Sequence, residues 1–345
     1  MVLLIAGCSR DPLLTRESYV FGTRVEVLIW GEAEDKASQA AAAVLQEFDR
    51  LHRAYHAWQP SQLTALNEAI SAGRTHEVSP ELAQLIHDAQ TLSARGDGLF
   101  DPGIGALVKL WGFHDDTFKP QLPDPVQLKA LIAAKPSIAN LRLEGKCLPS
   151  TPEAVGKCLV SSNNPMVALD FGGYLKGVAL DRAATILRAQ GVRNALVNIG
   201  GNIIALGSKG KIPWRVGIQA PRSSGPMATL DLRNGEAIGT SGDYQRYFEL
   251  NGRRYCHLID PRSGAPAQAT EAVSILIPPG SQAGAWSDAA TKPLFIAGPD
   301  WPAMARKTGV DQAMRVDSQG HIQITAALKS RLKFEQPAIQ VEVLP

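Results

Sequence analysis

Asn251-Gly252 is the feature that most narrows what this chain can build. The pair stands between Phe248-Glu249-Leu250 and Arg253-Arg254-Tyr255, two short runs of strand-forming residues. Asn and Gly both accept the positive φ angles of a type I′ turn, whose twist matches that of paired strands, so a hairpin is expected here. Folding it brings Thr240-Ser241-Gly242-Asp243 back toward His257-Leu258-Ile259-Asp260. A His flanked by carboxylates and hydroxyls suits general acid–base work on a phosphate or hydroxyl; His257, Asp260 and Asp243 are the candidates. The alternative is a His satisfied at a strand end, as polar turn residues commonly are.

Periodicity supplies the other elements. Residues 19–30 alternate as a strand with Val25, Val27 and Ile29 on one side. Residues 34–53 read as an amphipathic helix through Ala41, Val44, Leu45, Phe48 and Leu51, and 80–94 repeat the pattern. A strand at 167–171, a helix from about 177 to 190 and a strand at 195–199 form one unit, with Gly191 as the helix C′ cap. Further strands are expected at 214–219, 228–232, 237–239 and 272–277. A helix from residue 283 meets Pro293, which lacks the N–H needed to continue it, so it bends or ends there.

At 345 residues the chain can bury a substantial core. Its net charge is only +2 and its basic residues are interspersed with acidic ones, which excludes a clustered nucleic-acid stripe. No run of 18 apolar residues predicts a membrane-spanning helix. Cys8, Cys147, Cys158 and Cys256 are too few for a disulfide scaffold and none has zinc-ligand spacing. Cys147 and Cys158 bracket a loop between two strand-like runs, and a disulfide there is expected in an oxidising compartment. Ile5-Ala6-Gly7-Cys8 resembles a bacterial lipobox and makes Cys8 the expected lipidation site.

Asp170-Phe171-Gly172-Gly173-Tyr174-Leu175-Lys176-Gly177 places two glycines at a strand end and a Lys near a helix start. Free backbone N–H groups and the helix dipole attract a phosphate there, and Lys176 adds a point charge. A tight turn packing helix on strand is the other reading. Gly200-Gly201, after the next strand, serves either a phosphate or the close approach of two strands.

These blocks together resemble the ApbE family, the FAD:protein FMN transferases. The likeness runs through Phe21-Gly22-Thr23, the segment from Trp58 to Asn67, Phe100-Asp101-Pro102, and Leu110-Trp111-Gly112-Phe113. It continues through Asp170-Phe171-Gly172-Gly173 with Lys176-Gly177 and Asp181, Asn198-Ile199-Gly200-Gly201, and the block from Thr240 to Gly264. The family's Asp after Gly-Gly is Asn202 here.

The resemblance implies an α+β fold of mixed and antiparallel sheets with flanking helices, spanning about 19–335. Residues 115–165 would form a partly separate subdomain, 1–18 a lipoprotein signal or tether, and 336–345 a tail. It implies transfer of FMN from FAD to a Thr or Ser hydroxyl of an exported redox protein carrying a flavinylation motif, with release of AMP. Tyr55, Trp58, Ser61, Asp170, Gly172, Gly173, Lys176, Gly200, Gly201, Thr240, Ser241 and Gly242 would contact FAD. Mg²⁺, or Mn²⁺, would sit on Asp288, Thr291 and the Leu175 carbonyl, hard oxygen donors suited to such ions. Aligned on Leu294-Phe295, the family's second ligand, a Thr, falls on Lys292, and Thr291 stands one residue early. The family also implies a periplasmic protein tethered to a membrane by its lipid. Hydrolysis of FAD to FMN and AMP, or flavin binding without turnover, are the competing functions.

Overall fold

The structure, a computed structural model, describes residues 12–115, 117–148, 156–335 and 340–344. Cys8 and the tail residues 336–339 therefore lie outside the described residues. A nine-stranded sheet forms the spine. In spatial order its strands are Leu13–Val20, Thr23–Trp30, Ala195–Ile199, Asn202–Leu206, Ala237–Gly242, Thr270–Ile277, Ala313–Asp317, Ile322–Thr325 and Val341–Leu344. Neighbours pair antiparallel except the last two, which run parallel.

Both faces of this sheet are covered, so its central strands lack a wet side. Thr270–Ile277 is buried at every position. Alternate residues feed two cores: Val197, Ile204, Val273 and Ile275 face one, and Leu196, Ile203, Ile238 and Leu276 the other. The first core takes the helices Glu34–Ala54, Leu175–Ala189, Ala283–Ala289 and Thr291–Ala297. The second is closed by a three-stranded sheet of Trp214–Gln219, Pro226–Leu232 and Leu332–Phe334. Among the described residues no helix is long and apolar enough to cross a membrane.

The Asn251-Gly252 hairpin forms as expected: Tyr247–Leu250 pairs with Arg253–Cys256, and the two turn residues have φ of 51° and 73°. Gly191, at φ 71°, ends the Leu175–Ala189 helix. Two readings are corrected. Residues 19–30 are not one strand but the end of a hairpin, because Phe21 and Gly22 turn with φ of 56° and 68°. Residues 167–171 form no strand; only Ala168 makes an isolated bridge, to Ile104, so the unit begins at its helix.

Residues 141–145 and 158–162 pair with each other, and the latter also with His76–Val78. Cys147 and Cys158 are joined by a disulfide, and both sit in the first core. Trp111, Phe113, Phe248 and Tyr255 stack in a small third cluster, with the Trp111 indole N–H donating to the Gly264 carbonyl at 2.7 Å. That network ties the hairpin down.

Candidate functional site

The glycine turn is held from behind. The Asn67 amide donates to the Leu169 carbonyl (2.9 Å) and accepts from the Leu169 N–H (2.7 Å), fixing the chain just before Asp170. Asp170 Oδ1 accepts the Gly172 N–H at 2.8 Å, which bends the chain into the Leu175–Ala189 helix. Burial pushes the Asp170 carboxyl above its ordinary value, against the opposing charges of Arg246, His56 and Lys176.

Two helices meet here backbone to backbone. A Cβ on Gly177 would stand 2.3 Å from the Gly284 carbonyl oxygen, and one on Gly284 would stand 2.5 Å from that of Gly177. The Asp181 carboxylate accepts the Gly284 and Ala285 N–H groups, each at 2.8 Å, where the Ala283–Ala289 helix begins. Burial pushes its pKa up to about 7.

The Ala283–Ala289 helix stops and the Thr291–Ala297 helix starts across Ala290, as Pro293 requires. Asp288 is 1% exposed. Its Oδ2 accepts the Gly177 N–H at 3.0 Å, and its Oδ1 accepts the Lys292 ammonium at 2.5 Å. Lys292 also donates to the Asp288 carbonyl at 2.8 Å. Despite its burial, the Lys292 charge holds the Asp288 carboxyl below the usual carboxylate range. The Thr291 hydroxyl donates to the Asp288 carbonyl (2.7 Å), so Ser241 must donate to Thr291 across their 2.7 Å contact.

These contacts decide how the expected metal set fits. Both Asp288 oxygens have partners, the Thr291 hydroxyl is tied on both sides, and Leu175 opens a helix whose i+4 bonds claim its carbonyl. Among the described residues no group of three His, Cys, Asp or Glu is set to hold a metal. As it stands, the donor set does not fit Mg²⁺ or Mn²⁺.

His257 lies at the end of the hairpin. Its Nδ1 stands 3.2 Å from the Arg246 carbonyl, which can only accept, so Nδ1 carries the proton and Nε2 keeps its lone pair. Among the described residues Nε2 has no hydrogen-bond partner. Burial, with the charges of Lys176, Arg246 and Lys292, lowers its pKa to about 3, so the ring is neutral at physiological pH. Lys176 also reaches back to the Gly172 carbonyl at 3.4 Å. His257, Asp170, Lys176, Asp288 and Lys292 therefore share one electrostatic neighbourhood around the glycine turn.

Other candidates fall elsewhere. Asp243 is clamped by Arg222 through two bonds of 2.7 and 2.6 Å, and this ion pair holds it away from a catalytic role. Asp260 is held within its own turn by the Arg262 backbone N–H and guanidinium. Tyr55 is 2% exposed and donates to Glu81, so it packs rather than facing a ligand. Ser61 caps the Gln62–Ser71 helix. Thr240 shares a 2.8 Å bond with Ser274 inside the main sheet, and Gly242 lies over the Tyr244 ring. Gly200 and Gly201, with φ of 58° and 94°, make the tight turn between Ala195–Ile199 and Asn202–Leu206. Trp58 stays partly exposed, edge-on to His114 at 5.8 Å.

Arg246 was missed by sequence reasoning, although it stands inside the opening block. Its guanidinium donates to the Phe113 and Asp115 carbonyls (3.0 and 3.2 Å), and its charge reaches Asp170 and His257. His114 was also missed; its Nδ1 is buried and has no partner among the described residues.

Known proteins share this fold and much of this sequence. A Rhodobacter capsulatus FAD:protein FMN transferase is 40% identical over 337 residues, covering 96% of this chain and 61% of its own length. This chain thus spans under two thirds of that relative. A Klebsiella pneumoniae FAD:protein FMN transferase is 30% identical over 311 residues, 86% of this chain and 85% of that one. The crystal structure of the Thermotoga maritima ApbE protein superposes with a TM-score of 0.81 at 28% identity, covering 94% of this chain and 100% of that one. Pseudomonas stutzeri flavinyl transferase ApbE gives 0.77 at 26% identity, covering 94% and 98%. The ApbE family profile matches residues 21–314, and this chain belongs to the ApbE family.

Proposed function

We propose that this chain transfers the FMN moiety of FAD to a Ser or Thr hydroxyl of a partner protein and releases AMP. The observation that carries the reading is His257, neutral, tied through Nδ1, with Nε2 unpartnered beside Lys176 and the glycine turn.

The diphosphate of FAD rests on the Gly172-Gly173 turn, at the N-terminal end of the Leu175–Ala189 helix, where the dipole and Lys176 attract it. The acceptor hydroxyl oxygen attacks the phosphorus on the FMN side. The P–O bond to the AMP phosphate breaks, and the bridging oxygen leaves with AMP. The hydroxyl proton passes to His257 Nε2 and from there to the departing phosphate. A pKa of about 3 makes a poor base in the free protein. The phosphates bring negative charge beside Lys176 and Lys292 and raise that value toward the working pH. Trp58, packed edge-on against His114, offers a flat surface to a flavin or adenine ring.

Mg²⁺ or Mn²⁺ enters this reading only as a variable of the assay, because Lys292 and Ser241 hold the donors it would need. The acceptor proposed is an exported redox protein with a short Ser/Thr-containing flavinylation motif. We also propose lipidation at Cys8 and a periplasmic, membrane-tethered location; the Cys147–Cys158 disulfide, a bond of oxidising compartments, supports it. Loss of membrane association in Cys8→Ala is the expected result.

The deciding experiment incubates the protein with FAD and motif-bearing peptides or domains, with and without Mg²⁺. Mass spectrometry follows the acceptor, and chromatography the nucleotides. An FMN adduct with equimolar AMP supports the transferase. Free FMN without adduct makes the protein an FAD hydrolase, and bound but intact FAD makes it a flavin-binding factor.

A further inference from the structure

Lys292 stands where a charged side chain is seldom found. It is 9% exposed, and lysines are rarely buried this far unless paired. Its partner accounts for only part of its donors. An ammonium has three N–H groups, and here two are used, both on Asp288: one on Oδ1 and one on the main-chain carbonyl. Among the described residues the third has no acceptor.

The side chain runs along the glycine turn. A Cβ on Gly173 would stand 3.1 Å from Lys292 Cε and 3.9 Å from Nζ, so the missing side chain is what opens the ammonium to that turn. Its charge is felt by His257. Asp288, meanwhile, is turned toward this ammonium by the Gly177 N–H on its other oxygen. The cation thus lies against the glycine turn, and His257 is near enough to feel its charge.

We propose that the Lys292 ammonium is the resident cation for the dinucleotide diphosphate in this chain. It occupies the seat on Asp288 that a divalent ion would need, its third N–H binds a phosphoryl oxygen, and FAD binds and reacts without divalent metal. This rests on the transferase reading above. It also explains why the expected metal ligands are all spoken for: Asp288 serves here to hold an ammonium, and Thr291 to brace the helix break against Ser241.

The test measures FAD binding to the full chain by titration calorimetry in excess EDTA and again in millimolar Mg²⁺. Wild type is expected to bind equally in both, within about twofold. Lys292→Thr removes the cation and frees Asp288; it should bind FAD about tenfold or more weakly in EDTA and regain affinity with Mg²⁺. Lys292→Arg keeps the charge and should bind in EDTA. Mn²⁺ titrated into the ligand-free proteins and followed by electron paramagnetic resonance should stay free with wild type and become bound with Lys292→Thr. Wild type that binds FAD only with Mg²⁺, or takes up Mn²⁺ unaided, overturns the inference and leaves the transferase reading standing. Wild type that binds FAD in neither buffer overturns both.

Discussion

Two buried carboxylates in this molecule have cationic partners, and they end up in opposite roles. Asp243 meets the fork of Arg222, whose Nε also reaches Glu271 at 3.1 Å, with Arg254 3.6 Å away on the other side. Every strong donor there has a carboxylate to match. Asp288 meets an ammonium with one proton left over, next to a glycine turn and a His with a lone pair left over. A closed network is structure; an open one is where a ligand belongs. The residue types alone did not separate them, since both read as acidic residues beside hydroxyls.

The sharpest way to break the contrast is at His257. Asn in its place keeps a donor for the Arg246 carbonyl and removes the base. FMN transfer should fall about 10²- to 10⁴-fold with FAD affinity little changed. An unchanged rate in a single-turnover assay would move the base elsewhere.

Stability is the next axis. Asp288→Ala strands the Lys292 charge in a buried site and should cost about 3–5 kcal/mol, read from the urea midpoint. Asp243→Asn leaves Arg222 with Glu271 and half of its old partner, so about 1–3 kcal/mol is expected, with transfer within a few-fold of wild type. A large loss of transfer at Asp243 would erase the distinction between the two pairs.

Acid should reveal the open site too. The folded pKa of His257, about 3, lies below its ordinary 6.5, so the neutral ring stabilises the fold above pH 6.5. That contribution is lost as pH falls from 6.5 toward 3, with a slope of about 1.4 kcal/mol per unit. His257→Asn should flatten the slope in denaturation series across that window.

The smallest effect belongs to Trp58. Replacing it by Ala removes a stacking face and should weaken FAD binding by about 0.5–1.5 kcal/mol in the same calorimetry.

Much of the frame could be read from the chain because its signals are local. Asn251-Gly252 and Gly191 announce themselves through the φ angles they adopt, and Pro293 through a missing N–H. The failures share a cause: the deciding partner is distant in sequence. Asp243 looked available because Arg222 lies 21 residues away, and Tyr55 because Glu81 lies 26 away. Phe21 misled for another reason, since a bulky residue at positive φ is rare in a turn. Of the candidate site, Asp170, Lys176, His257 and Asp288 were singled out through their motifs. Arg246 and His114 were not, because a lone Arg or His carries no spacing signal. The role of Lys292 was visible only as a departure from a pattern; its geometry needed the helix break at Ala290.

The backbone contact of Gly177 with Gly284 has a consequence for how such a protein can change over generations. Each glycine leaves room only for the carbonyl of the other, so a single methyl at either position drives the two helices apart. Both helices also line the first core, so the displacement would be felt there as well as at Asp288. A descendant could therefore lose the link between Asp288 and the glycine turn, and part of its packing, in one nucleotide step. Site geometry and packing are thus coupled at this one contact, and a substitution at Gly177 would probe both at once.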